Sequence, residues 1–192
     1  TVQALALAAQ YAEEWPVLVV CPSSLRWVWK EQAERWLPRF IREGEVQVIC
    51  KGSDALSPRA KLWVVSYNLL SSDAKSGRFR CRPDNTPHNV VIVDESHNIK
   101  DWSAARTRAL VPVLRSARRA MLLSGTPTRN SADELHPQLC AIVPGLSAKL
   151  DDFKARYCVQ RAQAFGGRNV LRVVGARNAA ELNLLLTSSV MV

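Results

Sequence analysis

The run Val90-Val91-Ile92-Val93-Asp94-Glu95 constrains this chain more than any other stretch. Successive β-branched apolar residues describe a strand buried on both faces, and such strands belong to parallel sheets sandwiched between helices. This one delivers two carboxylates at its C-terminal end, the edge at which open α/β sheets bind ligands. A second apolar strand, Arg119-Ala120-Met121-Leu122-Leu123, empties into the hydroxyl-bearing turn Ser124-Gly125-Thr126-Pro127. An acidic turn alone is common; two apolar strands ending in polar turns suggest a site.

The rest of the chain supplies the expected companions. Val17–Cys21, Val46–Cys50 and Leu62–Ser66 read as further buried strands. Helices are expected over Thr1–Glu14, Leu25–Leu37 behind the Pro22-Ser23-Ser24 cap, Tyr67–Leu70, Ser103–Leu114 and Ser131–Ile142. Pro112 is expected to end or kink its helix. Arg78–Pro87 reads as an exposed connection. This alternation predicts an α/β fold with a mostly parallel sheet and helices on both faces over residues 1–142. Residues 143–192 then read as a helical extension of the same unit, with helices at Leu150–Val159 and Asn178–Leu186 and a turn at Phe165–Asn169. Of Trp27, Trp29 and Trp36, at least two are expected in the core, with Trp36 packing seven residues after Trp29.

Charge points to a partner. Lys and Arg number 26 against 17 acids, a net +9 over 192 residues, which favours a polyanion, nucleic acid before membrane. No apolar run is long enough to span a bilayer and no signal peptide opens the chain, so an intracellular protein is expected. The five cysteines lack C-x-x-C spacing, which fits a reducing compartment without structural zinc; Cys81 and His88 make only a weak metal pair. Cys21 and Cys50 close apolar runs and read as buried thiols.

A buried strand ending in Asp-Glu has the Walker B form of nucleotide triphosphatases. With DESH at 94–97 and SGTP at 124–127, it resembles motifs II and III of superfamily-two helicases, the SWI/SNF-type branch in particular. TVQALALAA, VLVVCPSSLRWVWKEQAERWLP and VVSYNLL extend the resemblance. FKARYC and ARNAAELNLLLTSSVMV are most similar to the annealing-helicase and fork-remodelling branch that includes the HepA-related protein. The resemblance implies the first RecA-like lobe of a P-loop NTPase, a DNA-dependent ATPase using ATP and Mg²⁺. On it, Asp94 would hold Mg²⁺ and Glu95 would be the general base. His97, Ser124 and Thr126 would couple the nucleotide to lobe closure. Ser23, Ser24, Arg26, Ser66 and Tyr67 would contact the DNA backbone.

In that family a Gly-rich loop and a lysine precede the TVQALALAA segment, and Thr1 matches the loop's closing hydroxyl, a second Mg²⁺ ligand. As written the chain is expected to be a motor fragment, inactive alone, whose partners are double-stranded or forked DNA and a second RecA-like lobe. Localisation is expected to be cytoplasm or nucleoid in a bacterium, the nucleus in a eukaryote. Two other functions fit the residues: a non-catalytic DNA-binding module with a degenerate ATP site, or the motor of a restriction or phage-defence system. A Gly-x-Gly-Lys segment upstream would select the motor; a nuclease or methylase domain alongside would select the defence system.

Overall fold

The computed structural model describes residues 1–72, 77–128, 130–143, 149–165 and 168–191. Five strands, β1 (Val17–Cys21), β2 (Val46–Val48), β3 (Leu62–Ser66), β4 (Val90–Asp94) and β5 (Arg119–Leu123), form one sheet in the order β2-β3-β1-β4-β5. Every neighbouring pair is parallel. Alternate strand residues feed two separate cores, as the two-residue period requires. Val17, Val19, Val64 and Ile92 face α1 (Val2–Ala9) and α2 (Arg26–Trp36). Leu18, Val20, Val65 and Val91 face α3 (Tyr67–Ser72), α4 (Ala105–Ser116) and α5 (His136–Ile142). Each such side chain, fully buried, contributes about 1.5–3 kcal/mol relative to exposure, so the sheet is held from both sides.

The first helix is shorter than its composition suggests. It ends at Ala9, and a 3-10 turn at Ala12–Glu14 brings the chain to β1. Beyond α1, Tyr11 lies under the Arg119 guanidinium at 4.3 Å, and Glu14 pairs with Arg119 at 3.0 Å. Arg119 starts β5, so the C-terminal end of α1 lies at the N-terminal edge of the sheet.

Several expectations need correction. Helix α4 runs through Pro112 to Ser116, because Leu110, Val111, Val113 and Leu114 are buried around the proline and hold the helix together. Only Trp29 of the three tryptophans is core: Trp27 is 57% and Trp36 48% exposed. The buried row of α2 follows Trp29, Ala33 and Leu37, an i, i+4, i+8 row that drifts away from the i+7 position of Trp36. Cys21 is buried but Cys50 is exposed, since β2 ends at Val48. The 78–87 connection is anchored by Phe79, which is fully buried.

The extension is not simply helical. Helix α6 (Leu150–Tyr157) is followed by an antiparallel hairpin, β6 (Cys158–Phe165) and β7 (Arg168–Ala176), and then by α7 (Ala179–Ser189). Helices α6 and α7 pack Phe153, Tyr157 and Leu182 onto Leu135 and Leu139, at and just before α5, in a third small core. The Gly166-Gly167 turn and the Pro144-Gly145 helix stop lie outside the described residues.

Candidate nucleotide site

Pairing of β4 with β5 sets Asp94 beside Leu123, so the residues after each strand, Glu95-Ser96-His97 and Ser124-Gly125-Thr126, emerge side by side. The Asp94 carboxylate is fixed by two donors. Its Oδ2 accepts the Trp29 indole N–H at 2.9 Å and its Oδ1 accepts the Glu95 backbone N–H at 3.1 Å. Each oxygen keeps a further lone pair directed out of these bonds. Beneath it the Tyr67 hydroxyl donates to the Asp94 carbonyl at 2.6 Å and lies 3.2 Å from that of Glu95. Burial first, then the Asp94 charge, pushes the Tyr67 phenol upward in pKa, and the same two causes push the Cys21 thiol up to about 12. Both groups are therefore neutral donors near neutral pH.

Glu95 has φ 52°, ψ 51°, the left-handed conformation that a side chain with a Cβ adopts at a cost of about 1–2 kcal/mol. Strain of this sort gathers at functional sites. Here it turns the chain sharply after β4 and leaves the Glu95 side chain 43% exposed, while His97 folds inward. His97 Nδ1 stands 3.1 Å from Glu95 Oε2 and 3.2 Å from Ser124 Oγ. With a carboxylate this close, the consistent assignment is Nδ1–H donating to Glu95 and shared with Ser124. Ser124 Oγ also accepts the Thr126 backbone N–H at 3.2 Å. The structure thus joins Glu95, His97, Ser124 and Thr126 in one chain of contacts.

A second thread, not anticipated from sequence, runs parallel to it. Ser96 donates to Gln138 Oε1 at 3.0 Å, and the Gln138 amide donates to the Pro127 carbonyl at 2.8 Å. Buried Gln138 of α5 therefore ties the loop after β4 to the turn after β5. No local pattern marks it, since glutamine in a short helix has no signature; Trp29 was visible as a core residue but not as a partner of Asp94.

The predicted DNA contacts separate into two groups. Ser23 and Ser24 are exposed on the turn before α2. Arg26 spends two donors internally, Nη1 on the Ile49 carbonyl at 2.5 Å and Nε on that of Ser23 at 3.1 Å. Ser66 and Tyr67 are buried, and Ser66 Oγ accepts the Leu69 N–H at 3.3 Å, so their side chains are directed away from a phosphate; Asn68 is the exposed residue of that turn. Thr1 caps α1 through its carbonyl, which accepts the Leu5 N–H at 3.0 Å, while its hydroxyl makes no capping bond. His88, set aside from any metal, lies edge-on to Trp63 with Nε2 3.2 Å from the Phe79 carbonyl.

A family model described as the SNF2-related domain matches residues 1–190. The chain belongs to the SNF2-related family. Among relatives of this SNF2-related chain is SWI/SNF-related matrix-associated actin-dependent regulator of chromatin subfamily A-like protein 1 of Xenopus tropicalis. It is 40% identical over 192 residues, covering 100% of this chain and 19% of that protein. The DNA annealing helicase and endonuclease ZRANB3 of Homo sapiens is 40% identical over 188 residues, 97% of this chain and 17% of that protein. The SNF2-related chain therefore spans under a fifth of these relatives. The SWI2/SNF2 ATPase core of Sulfolobus solfataricus, solved in complex with dsDNA, superposes with a TM-score of 0.64 at 21% identity, covering 80% of this chain and 30% of that one. That likeness is of fold, and it agrees with the RecA-like lobe expected from the sequence.

Proposed function

We propose that the complete protein is an ATP-driven motor on double-stranded DNA, of the annealing or fork-remodelling kind. The observation that carries this reading is the continuous contact from Glu95 through His97 to Ser124 beside an immobilised Asp94. Support comes also from the relatives, one of which is called a DNA annealing helicase, and from the fold shared with an ATPase core solved on dsDNA. A merely structural acidic turn would need neither a strained glutamate nor a buried histidine against it.

The donor set fits Mg²⁺ with a nucleotide triphosphate. Mg²⁺ prefers one or two carboxylates, phosphate oxygens and water, and Asp94 offers a hard oxygen whose orientation two N–H donors already fix. Thr1 offers a hydroxyl at the start of α1, whose first-turn amides are donors suited to phosphate. When bound, the metal would neutralise charge developing on the transferred phosphoryl group. Glu95 is the candidate to orient the attacking water and accept its proton, since its carboxylate is half exposed and already hydrogen-bonded on one oxygen. His97 holds that carboxylate and senses the turn at Ser124. A second RecA-like lobe closing on Thr126, which is exposed, would move Ser124 and hence His97. The exposed hydroxyls of Ser23 and Ser24 suit DNA phosphates, a contact that steers and grips without reading bases.

The experiment is a pair of substitutions in the full-length protein. Glu95→Gln should bind ATP with normal Mg²⁺ dependence and lose turnover, because the amide keeps the shape and removes the proton acceptor. Asp94→Asn should weaken Mg²⁺-dependent ATP binding as well. Equal loss of binding in both variants would show that the roles are assigned wrongly.

A further inference from the structure

Glu95 is placed by its backbone before it is placed by its side chain. With φ 52° and ψ 51°, it holds a conformation that persists only where the surroundings over-determine it. The groups that do so here are few. The Glu95 carbonyl accepts the Asn98 backbone N–H at 3.0 Å and the Asn98 side-chain amide, through Nδ2, at 2.9 Å. The Tyr67 hydroxyl, 3.2 Å from the same carbonyl, has its single proton committed to the Asp94 carbonyl at 2.6 Å. Asn98 therefore supplies both donors that fix the peptide after Glu95, and with it the direction in which the chain leaves toward His97.

An asparagine amide can turn over, and here only one orientation serves. The Arg106 guanidinium approaches Asn98 from α4, its Nη1 donating to Asn98 Oδ1 at 3.1 Å. Arginine only donates and a carbonyl only accepts, so Oδ1 must face Arg106 and Nδ2 must face Glu95. The reversed amide would lose both bonds. Arg106 thus selects the orientation in which Asn98 holds Glu95. The helix itself does not call for an arginine at this point. Arg106 is exposed and stands in the first turn of α4, where a cation opposes the helix dipole and no acid offsets it.

We infer that Asn98 and Arg106 are positioning residues for Glu95: Arg106 orients the Asn98 amide, and Asn98 locks the strained peptide that aims the glutamate at its water. The inference rests on the proposed function, in which Glu95 accepts a proton from that water. It adds two residues that act through the backbone of Glu95 rather than through its carboxylate.

The test is a double-mutant cycle in the full-length protein, with Arg106→Ala, Asn98→Ala and the two together, and Arg106→Lys beside them. DNA-stimulated phosphate release and thermal unfolding are followed for each. Misplacing a catalytic group by about 1 Å costs up to roughly 100-fold in rate. Each single substitution should lower kcat by about 10- to 100-fold and leave KM for ATP within about twofold. Because Arg106 acts only through Asn98, the double variant should be no slower than Asn98→Ala alone. Arg106→Lys, which keeps a cationic donor, should recover most of the rate. Unchanged kcat in Arg106→Ala overturns the inference, and so do losses that multiply in the double variant. A raised KM with unchanged kcat overturns it as well, and would make Arg106 a contact of the nucleotide. Failure of the proposed function is read separately, from the unmodified protein: without DNA-stimulated phosphate release there, that reading falls and the inference falls with it.

Discussion

Replacing Trp29 with phenylalanine in the full-length protein is the sharpest probe of the site. Trp29 is 1% exposed, and its indole N–H reaches Asp94 Oδ2 at 2.9 Å from a helix 65 residues away in sequence. Phenylalanine keeps a ring in the core and removes the donor. A hydrogen bond to an ionised acceptor is worth roughly 1.5–3 kcal/mol. The lost ring volume, roughly 40 Å³, costs about 1 kcal/mol more at the usual rate for residual cavities. The folded state should therefore weaken by roughly 2.5–4 kcal/mol, less whatever a water or a metal ligand restores at Asp94. Function should suffer selectively: with one of its two donors gone, Asp94 can rotate, and the Mg²⁺ concentration for half-maximal ATP binding should rise about tenfold, the equivalent of about 1.4 kcal/mol. Nucleotide binding in EDTA should not change. The assay is a Mg²⁺ titration of a fluorescent ATP analogue beside thermal unfolding. A lowered melting temperature with a wild-type Mg²⁺ midpoint would show that the indole is only core packing, and the argument for a positioned carboxylate would fail.

Further outcomes follow from neighbouring residues. His97→Ala should leave basal ATP binding nearly intact and reduce DNA stimulation of the ATPase, a coupling loss of about 1–3 kcal/mol or roughly 5- to 150-fold; reduced DNA affinity with an unchanged maximal rate would place His97 in the DNA surface instead. Glu95→Gly should abolish turnover yet raise stability by about 1 kcal/mol, because glycine relieves the left-handed backbone; denaturant midpoints showing equal or lower stability would contradict the strain assigned to φ 52°. Burial lowers the His88 pKa from 6.5 to about 4, so its contribution to stability is complete above pH 6.5 and is lost as pH falls toward 4. That loss reaches about 3 kcal/mol, and unfolding followed from pH 7 to 4 should show His88→Phe with a flatter dependence than the unmodified protein.

Local chemistry was enough to read the sheet. Val90–Asp94, Val17–Cys21 and Leu62–Ser66 are apolar on both faces, and only a doubly covered parallel strand tolerates that pattern. The same reading places Asp94, Glu95, His97, Ser124 and Thr126 at or just beyond the ends of β4 and β5, because an apolar run gives way to a polar turn at each. It erred where a residue's environment depends on what another element covers. Trp36 shares the azimuth of Trp29 on α2 but lies beyond the i+4 row that the sheet buries. Cys158 and Val159, which open β6, read as the end of a helix because the strand's alternation is weak and Arg161–Ala164 is exposed on both sides. Side-chain partnership was the least legible of all. That Trp29 holds Asp94, that Tyr67 supports the backbone beneath it, and that Gln138 joins the loop after β4 to Pro127 follow from register and helix placement. Those depend on contacts between segments tens of residues apart. Sequence by itself determined which strands are buried and which carboxylates they deliver, since burial pattern is local; tertiary structure alone decided what holds those carboxylates in place, since a hydrogen bond across the fold has no local signature.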